Sequence, residues 1–405
     1  MTIKEFILEH WQNTIRELKE DVGNRFALPY PFTVPSEKEY FQEMYYWDTY
    51  FTNVGLFESG LTQQAIYNCE NVSYVIEKHG FMPNCTFIGH INEPVSQPPY
   101  FAFMVRDIYK KTGDQEWLKS KYPLIKKEYE WWMQNRCTDI GLNRYGNLSF
   151  TNERYERSAK NALSRIQVAP DADIIELGKA NAAICESGWD WTPRFGFTPM
   201  YSCPIDLNCY LYFYETYLDA LQKMFDIGDG VDWKQKAKTR KALINQYLWN
   251  EEDQIYVDYN FITGKQYECR SAAAFVPFFV GLAGDDTFKG LENCYRLFMK
   301  DYGIVCTDKD YGHFQWSYPN GWAPVHYIAF HAFKNYGKWE QAKEVATKYM
   351  KLCEKLFEEK HDLYEKYNVV DGNDKTLDEN KVHHTMMGWT AGVYMYFQAK
   401  DELKR

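Results

Sequence analysis

Apolar residues recur at helical spacing along most of this chain, and no other property of the sequence limits its fold as strongly. The spacing is clearest in five segments, at residues 204–225, 234–248, 285–300, 339–357 and 384–400. No segment alternates apolar and polar residues in the way that a run of half-buried strands does. The sequence therefore predicts an all-α protein.

A short signal recurs where one helix is expected to end and the next to begin. A glycine is followed by polar residues and then by an aromatic residue, at Gly113, Gly228, Gly284 and Gly337. Glycine often ends a helix because it adopts the left-handed conformation without steric cost. The intervals are 115, 56 and 53 residues, which indicates a unit in the mid-fifties with one signal missing from the first interval. A unit of this length suits a helical hairpin.

About six such hairpins would use up the 405 residues, either as a closed (α/α)6 toroid or as an open solenoid. A solenoid needs polar capping repeats at both ends, whereas the last segment is apolar, with Met386, Trp389, Val393 and Tyr394. The toroid, with its functional loops on one rim, is therefore the favoured prediction. Because no linker or low-complexity tract interrupts the chain, we expect residues 1–405 to form a single domain.

The charge of the chain limits its partners. A formal net charge of −10 at pH 7 argues against nucleic acid and anionic membranes, since both require clustered Lys and Arg, and a small neutral ligand fits better. Residues 1–20 predict an amphipathic helix rather than a signal peptide, and no apolar stretch is long enough to cross a bilayer. We therefore expect a cytoplasmic protein that is a monomer or a homodimer.

The cysteines and histidines show no pattern typical of a metal site. Ten cysteines are scattered without a CxxC pair, as expected for buried, reduced thiols. Two histidine pairs, His326 with His331 and His383 with His384, lack a carboxylate or thiolate at ligand spacing. We expect no metal and no cofactor.

Aromatic residues make up 18% of the chain, and many cluster with carboxylates and amides where the helical pattern breaks. Core packing explains most aromatic residues, but it does not explain clusters that also carry polar groups. Rings beside hydrogen-bonding groups are suited to bind the faces of sugars. Five such clusters occur, at residues 41–50, 92–99, 186–195, 314–324 and 364–368.

Asp190 stands between two indoles, Trp189 and Trp191, in a segment whose Gly188 and Pro193 exclude a simple helix. Partial desolvation raises the pKa of a carboxyl group and lets it hold a proton near neutrality, as a general acid must. The alternative interpretation is that Asp190 caps the N-terminus of a helix.

Taken in order, the five clusters resemble the signatures of the α,α-trehalases. Those signatures include an aromatic-Trp-Asp-x-Tyr segment, Ser-Gln-Pro-Pro, Glu-Ser-Gly-Trp-Asp, Gln-Trp-Asp-x-Pro-x-Gly-Trp-Ala-Pro and Glu-Lys-Tyr, and the resemblance covers roughly residues 41–393. It implies an (α/α)6 toroid that hydrolyses an α-linked glucoside with inversion and without a metal. It also implies that Asp190 is the general acid and Glu365 the general base. For Glu365 the alternative is a surface ion pair with Lys366.

The resemblance also implies a set of residues that bind the substrate. Asp48 is either a ligand of glucose hydroxyls or a cap for the following helix. The full predicted set is Phe41, Tyr46, Trp47, Asp48, Asn84, Gln97, Glu153, Gly188, Trp189, Gln315, Trp316, Trp322 and Trp389.

The sequence departs from the trehalase pattern where arginines would recognise the leaving glucose. Tyr40, Val95 and Thr151 occupy three such positions, Ser317 replaces an acid, and a glycine-rich loop is absent between residues 368 and 386. The reaction type is therefore predicted more firmly than the substrate. Trehalose is the first expectation, a glucosylglycerate, glucosylglycerol or kojibiose type of α-glucoside is the rival, and a non-catalytic sugar-binding toroid is the remaining alternative.

Overall fold

In the computed structural model, residues 1–38, 41–164, 172–312, 314–376, 386–400 and 403 are described. Helices dominate these residues, which confirms the all-α prediction. Fifteen α-helices occur in this part of the chain: α1 (Ile3–His10), α2 (Tyr46–Glu58), α3 (Thr62–His79), α4 (Gly89–Asn92), α5 (Phe101–Thr112), α6 (Gln115–Arg136), α7 (Asn152–Leu163), α8 (Ile174–Ser187), α9 (Ile205–Phe225), α10 (Trp233–Leu248), α11 (Val276–Phe279), α12 (Lys289–Phe298), α13 (Ala323–Asn335), α14 (Trp339–Lys360) and α15 (Gly388–Gln398).

The strands are only two or three residues long and all pair antiparallel. They are β1 (Ile15–Arg16), β2 (Phe32–Thr33), β3 (Ser202–Cys203), β4 (Trp249–Asn250), β5 (Ile255–Tyr256), β6 (Tyr259–Asn260), β7 (Lys265–Gln266), β8 (Met299–Lys300), β9 (Gly303–Ile304), β10 (Asn320–Trp322) and β11 (Lys366–Asn368). The pairings are β1 with β2, β3 with β6 and β6 with β7, β4 with β5, β8 with β9, and β10 with β11. Such short strands fix the loops between helices and form no layer of their own.

The helices form two concentric rings, as the sequence predicted for an (α/α)6 toroid. The inner ring consists of α2, α5, α9, α11, α13 and α15, and the outer ring of α1, α3, α6, α10, α12 and α14. Inner neighbours pack closely, and on α5 and α9 the rings of Phe103 and Phe213 stack with centroids 3.9 Å apart. Because the chain alternates between rings, the N-termini of the inner helices meet at one mouth of the toroid.

The ring closes where α15 packs against α2. A Cβ atom added to Gly392 would lie 2.0 Å from the carbonyl oxygen of Phe51, and one added to Gly55 would lie 2.4 Å from the Cα of Gly392. Only glycine allows two helix backbones to approach so closely. The first and last inner helices are therefore joined by direct backbone contact.

The four glycine signals all lie between an inner helix and the outer helix that follows it. Gly113, for example, ends α5 in the left-handed conformation with φ +70°, and Asp114 then caps α6. The long interval that lacks a signal, between Gly113 and Gly228, contains an additional helical hairpin made of α7 and α8. This inserted hairpin belongs to neither ring and lies over the mouth where the inner helices begin.

The N-terminal prediction is wrong in part. The amphipathic helix expected over residues 1–20 ends at His10, because a 3-10 turn follows and Ile15 then pairs with Thr33 in a short antiparallel sheet. In the described ranges, no helix is both long enough and apolar enough to cross a membrane.

Candidate active site

A cavity of about 430 Å³ opens at the mouth formed by the inner helix N-termini and the inserted hairpin. This volume lies within the range of small-molecule sites. Residues from seven segments line it: Phe41, Tyr45, Asn84, His90, Val95, Arg154, Arg157, Ser158, Asn161, Asn181, Ala182, Cys185, Asp190, Trp191, Gln315 and Glu365.

Asp190 reaches the cavity because the chain turns sharply after α8. Gly188 ends that helix with φ +70°, and a Cβ atom there would lie 2.8 Å from the indole of Trp47. The backbone carbonyl of Asp190 accepts a hydrogen bond of 3.1 Å from Nε2 of Gln315. Asp190 caps none of the described helices, so the alternative role of a helix N-cap does not apply to it.

Glu365 reaches the same cavity from the start of β11. Its Oε2 accepts a hydrogen bond of 2.8 Å from Nζ of Lys366, and its backbone carbonyl accepts one of 3.1 Å from Nε1 of Trp389. The ion pair expected as the alternative role is present, but it is not on the surface, since the Lys366 side chain is only 3% exposed. Antiparallel pairing places Lys366 opposite Trp322, with Nζ 4.9 Å from the ring centroid.

Five tryptophans form a continuous cluster beneath the two carboxyl groups, here called the tryptophan cluster. Trp316 stacks on Trp322 with centroids 4.0 Å apart and contacts Trp189 at 4.8 Å and Trp47 at 5.6 Å, and Trp389 lies edge-on to Trp322 at 5.5 Å. All five are at most 5% exposed. Such interlocked rings hold the loops that carry the acids in one conformation.

Asp48 lies in the first turn of α2 behind the cavity wall. The N-cap of that helix is Tyr45, so Asp48 is not the cap that the sequence allowed. Burial, together with the negative charges of Glu365 and Asp190, raises the pKa of Asp48 to about 8. At neutral pH its carboxyl group is therefore protonated and can donate a hydrogen bond.

The remaining predicted residues divide into those on the wall and those behind it. Phe41, Asn84 and Gln315 line the cavity. Gln97 lies behind the wall, where its Oε1 accepts a hydrogen bond of 3.2 Å from the backbone N–H of Trp47. It positions the tryptophan cluster at the start of α2 rather than facing the cavity.

Two predicted ligands lie away from the cavity. The hydroxyl of Tyr46 donates to Glu128 over 2.7 Å and accepts the backbone N–H groups of Tyr100 and Phe101, which makes it a buried anchor between α2 and α5. Glu153 is exposed in the first turn of α7 and does not line the cavity. The order of the motifs predicted that both residues bind the substrate. Their positions on the helices, however, direct both side chains away from the cavity.

The inserted hairpin brings residues to the cavity that the sequence analysis did not identify. On α7 they are Arg154, Arg157, Ser158 and Asn161, and on α8 they are Asn181, Ala182 and Cys185. The spacing of the α7 set, at three, four and seven residues from the first, defines one helix face and was the available signal. Two guanidiniums therefore line the cavity, although Tyr40, Val95 and Thr151 occupy the three family arginine positions.

The three positions at which this chain lacks the family's arginines lie in different places. Val95 lines the cavity, whereas Thr151 caps α7 by accepting the backbone N–H of Arg154. Tyr40 lies outside the described residues. Across the described ranges, no group of three or more metal-ligating side chains comes together, and all ten cysteines are free thiols.

The chain is a glycoside hydrolase, the class of enzyme to which its family match and its structural neighbours belong. A family model described as Trehalase matches residues 3–400, so the chain belongs to the trehalase family.

Solved structures share the fold. The neutral trehalase Nth1 of Saccharomyces cerevisiae superposes with a TM-score of 0.79 at 23% identity, covering 100% of this chain and 81% of the yeast chain. The GH63 mannosylglycerate hydrolase of Thermus thermophilus, in complex with glucose, gives a TM-score of 0.69 at 16% identity, covering 98% of this chain and 100% of that enzyme. At these identities the likeness concerns the fold.

Proposed function

We propose that this enzyme hydrolyses an α-linked glucoside with inversion, with Asp190 as general acid and Glu365 as general base. The observation that carries the proposal is that both carboxyl groups line one cavity, although 175 positions separate them in the chain. Inverting hydrolysis uses two carboxyl groups about 6.5–9.5 Å apart, with a water between one of them and the anomeric carbon.

In the proposed reaction, Asp190 gives its proton to the glycosidic oxygen as the bond from that oxygen to the anomeric carbon breaks. Glu365 takes a proton from the water that attacks the opposite face of the same carbon. The products are β-glucose and a leaving group with a free hydroxyl. Proton return from Glu365 to Asp190 through solvent completes the cycle.

The groups around the two acids fit these roles. The buried ammonium group of Lys366 donates a hydrogen bond to Glu365 and stabilises the ionised form of its carboxyl group. A general base must be ionised in this way. Trp191 and Phe41 line the cavity, where their rings can contact the face of a sugar. Asp48 stands behind the wall with a carboxyl group that is protonated at neutral pH.

For the substrate, α,α-trehalose or a related α-glucosyl disaccharide is the first candidate, because the chain belongs to the trehalase family and one structural neighbour is a neutral trehalase. A smaller α-glucoside is the second candidate, since the Thermus neighbour is a mannosylglycerate hydrolase and the family's arginine positions carry other residues here.

The test is to follow the anomeric protons by NMR during the first minutes of hydrolysis of an α-glucoside panel. We expect β-glucose to appear first from the attacked ring, with the α-anomer growing later by mutarotation. An initial α-anomer would refute inversion, and the absence of glucose from every member of the panel would favour the non-catalytic sugar-binding alternative.

A further inference from the structure

A positively charged face of the inserted hairpin looks into the cavity. Arg154 and Arg157 lie three residues apart on α7 and therefore share one side of the helix. The Arg154 side chain is 19% exposed and that of Arg157 is 61% exposed, so Arg154 lies deeper and Arg157 lies at the mouth.

The acids that accompany these arginines do not line the cavity. Nε of Arg154 is 2.7 Å from Glu93, and Nη2 of Arg157 donates to both oxygens of the same carboxylate at 3.2 Å. Glu153 is exposed on the turn before Arg157, and neither acid lines the cavity. Considering only the described residues, the Nη atoms of Arg154 donate no hydrogen bond, so this guanidinium keeps donors for a ligand.

Groups of opposite charge thus line the same cavity. Glu365 supplies a carboxylate from the start of β11, and Arg154 and Arg157 supply guanidiniums from the inserted hairpin. His90, also on the wall, adds no charge at neutral pH, because burial and then the charge of Arg154 lower its pKa to about 4. A ligand with one neutral and one anionic end would be oriented by this field.

An unused acceptor stands beside the arginines. Asn181 is 4% exposed, and its Nδ2 donates to the carbonyl and the hydroxyl of Ser158 at 3.0 and 2.9 Å. These bonds fix the amide, and its Oδ1 has no hydrogen-bond partner within the described part of the chain. Since a buried acceptor without a partner is costly, this atom suits a ligand hydroxyl.

We propose that the leaving group is a short hydroxy acid, an inference that rests on the glucoside hydrolysis proposed above. Its carboxylate binds the guanidiniums of Arg154 and Arg157, whose planar forks match a carboxylate, and its free hydroxyl donates to Asn181. Repulsion from the Glu365 carboxylate keeps the ligand carboxylate away from the scissile bond. Hydrolysis transfers the Asp190 proton to the hydroxy acid oxygen and releases the acid with β-glucose.

The test compares two probes that differ only at the charged group, 2-O-α-D-glucosylglycerate and 2-O-α-D-glucosylglycerol. We expect kcat/KM to be at least about tenfold higher for the glycerate, as charge-assisted hydrogen bonds imply. The preference should shrink as ionic strength rises, because Arg157 is exposed. Equal values, or a preference for the neutral probe, would overturn the proposal.

Variants assign the preference to these residues. In Arg154→Gln/Arg157→Gln the ratio of the two kcat/KM values should fall to near one, and in Glu93→Gln it should rise because the competing carboxylate is gone. Lys160→Gln, which removes one positive charge at an exposed position of α7 off the cavity, should leave the ratio unchanged. A preference that survives the double substitution would refute the assignment, and because both probes are measured on one preparation, partial unfolding cancels.

The outcomes separate this inference from the proposed function. Glucose release from trehalose and glucosylglycerol without a preference for the glycerate would overturn the hydroxy acid and leave hydrolysis standing. No glucose from either probe, from trehalose or from α-glucosyl fluoride would overturn both.

Discussion

Two parts of the cavity lining are built in different ways. The acids and the tryptophan cluster come from segments attached to several inner helices, and Trp316 and Trp322 are each 1% exposed. The second part comes from one inserted hairpin, with Arg157 at 61% side-chain exposure. A reaction centre held by the whole ring is rigid, whereas a single hairpin can vary without disturbing the ring. We therefore expect substitutions in the ring-borne part to change turnover and those in the inserted hairpin to change selectivity.

The largest effects should come from the two carboxyl groups. Asp190→Asn and Glu365→Gln should each lower kcat by about four orders of magnitude or more while the fold is retained, and the losses should not multiply in the double variant. Steady-state kinetics with circular dichroism as the folding control measure this. Substantial activity in Glu365→Gln would assign the base to another residue.

Gly188→Ala should have the next largest effect, because the added Cβ would clash with Trp47 and φ at this position is +70°. We expect kcat to fall by about tenfold to a hundredfold as Asp190 and the tryptophan cluster shift. Gly196→Ala is the matched control, since φ there is +54° and nothing lies within 4 Å of the added atom. Equal losses in both variants would show that backbone strain alone is responsible.

Asp48→Asn should change how stability depends on pH. The pKa of Asp48 is about 8 in the folded protein and near 3.8 in an unfolded chain, so the folded state holds the extra proton and wild-type stability falls as pH rises between these values. Asparagine does not titrate, so the free energy of unfolding of the variant, relative to that of wild type, should rise by up to about 1.4 kcal/mol per pH unit in that window. Urea unfolding at pH 5, 6 and 7 measures the difference, and parallel curves would contradict it.

The smallest effect should come from Asn161→Ala on the inserted hairpin. With α-glucosyl fluoride, whose leaving group is a single atom, we expect kcat/KM to change by less than about threefold, since Asn161 belongs to the inserted hairpin and not to the segments that carry the acids. With a disaccharide the loss should be larger. A tenfold loss with the fluoride would show that the hairpin also shapes the reaction centre.

The sequence predicted the ring well because helical periodicity and glycine turns are local signals. Gly113 and Gly337, for example, both adopt positive φ at the expected turns between rings. The order of the aromatic clusters likewise predicted that Asp190 and Glu365 would share a site. Their roles as acid and base stay predictions until the variants are measured.

What the sequence could not reveal was the direction in which individual side chains point. Tyr46 adjoins the tryptophan cluster in the chain but turns inward to Glu128, and Glu153 turns outward while its neighbour Arg154 faces the cavity. A motif fixes position along the chain, whereas helical phase and an inserted hairpin decide what meets the ligand. The pairing of Trp322 with Lys366 depends on a long-range register that periodicity does not encode.

The backbone contact between Gly55 and Gly392 has a consequence for how the protein is made. These residues lie 337 positions apart, and a ribosome produces the earlier one long before the later one. Until α15 emerges, α2 has no partner for the face around Gly55, and Trp389 is not yet there to donate to the backbone of Glu365. The ring of the nascent chain therefore cannot close before α15 has been made. Activity arises only after α15 has been made and the ring has closed.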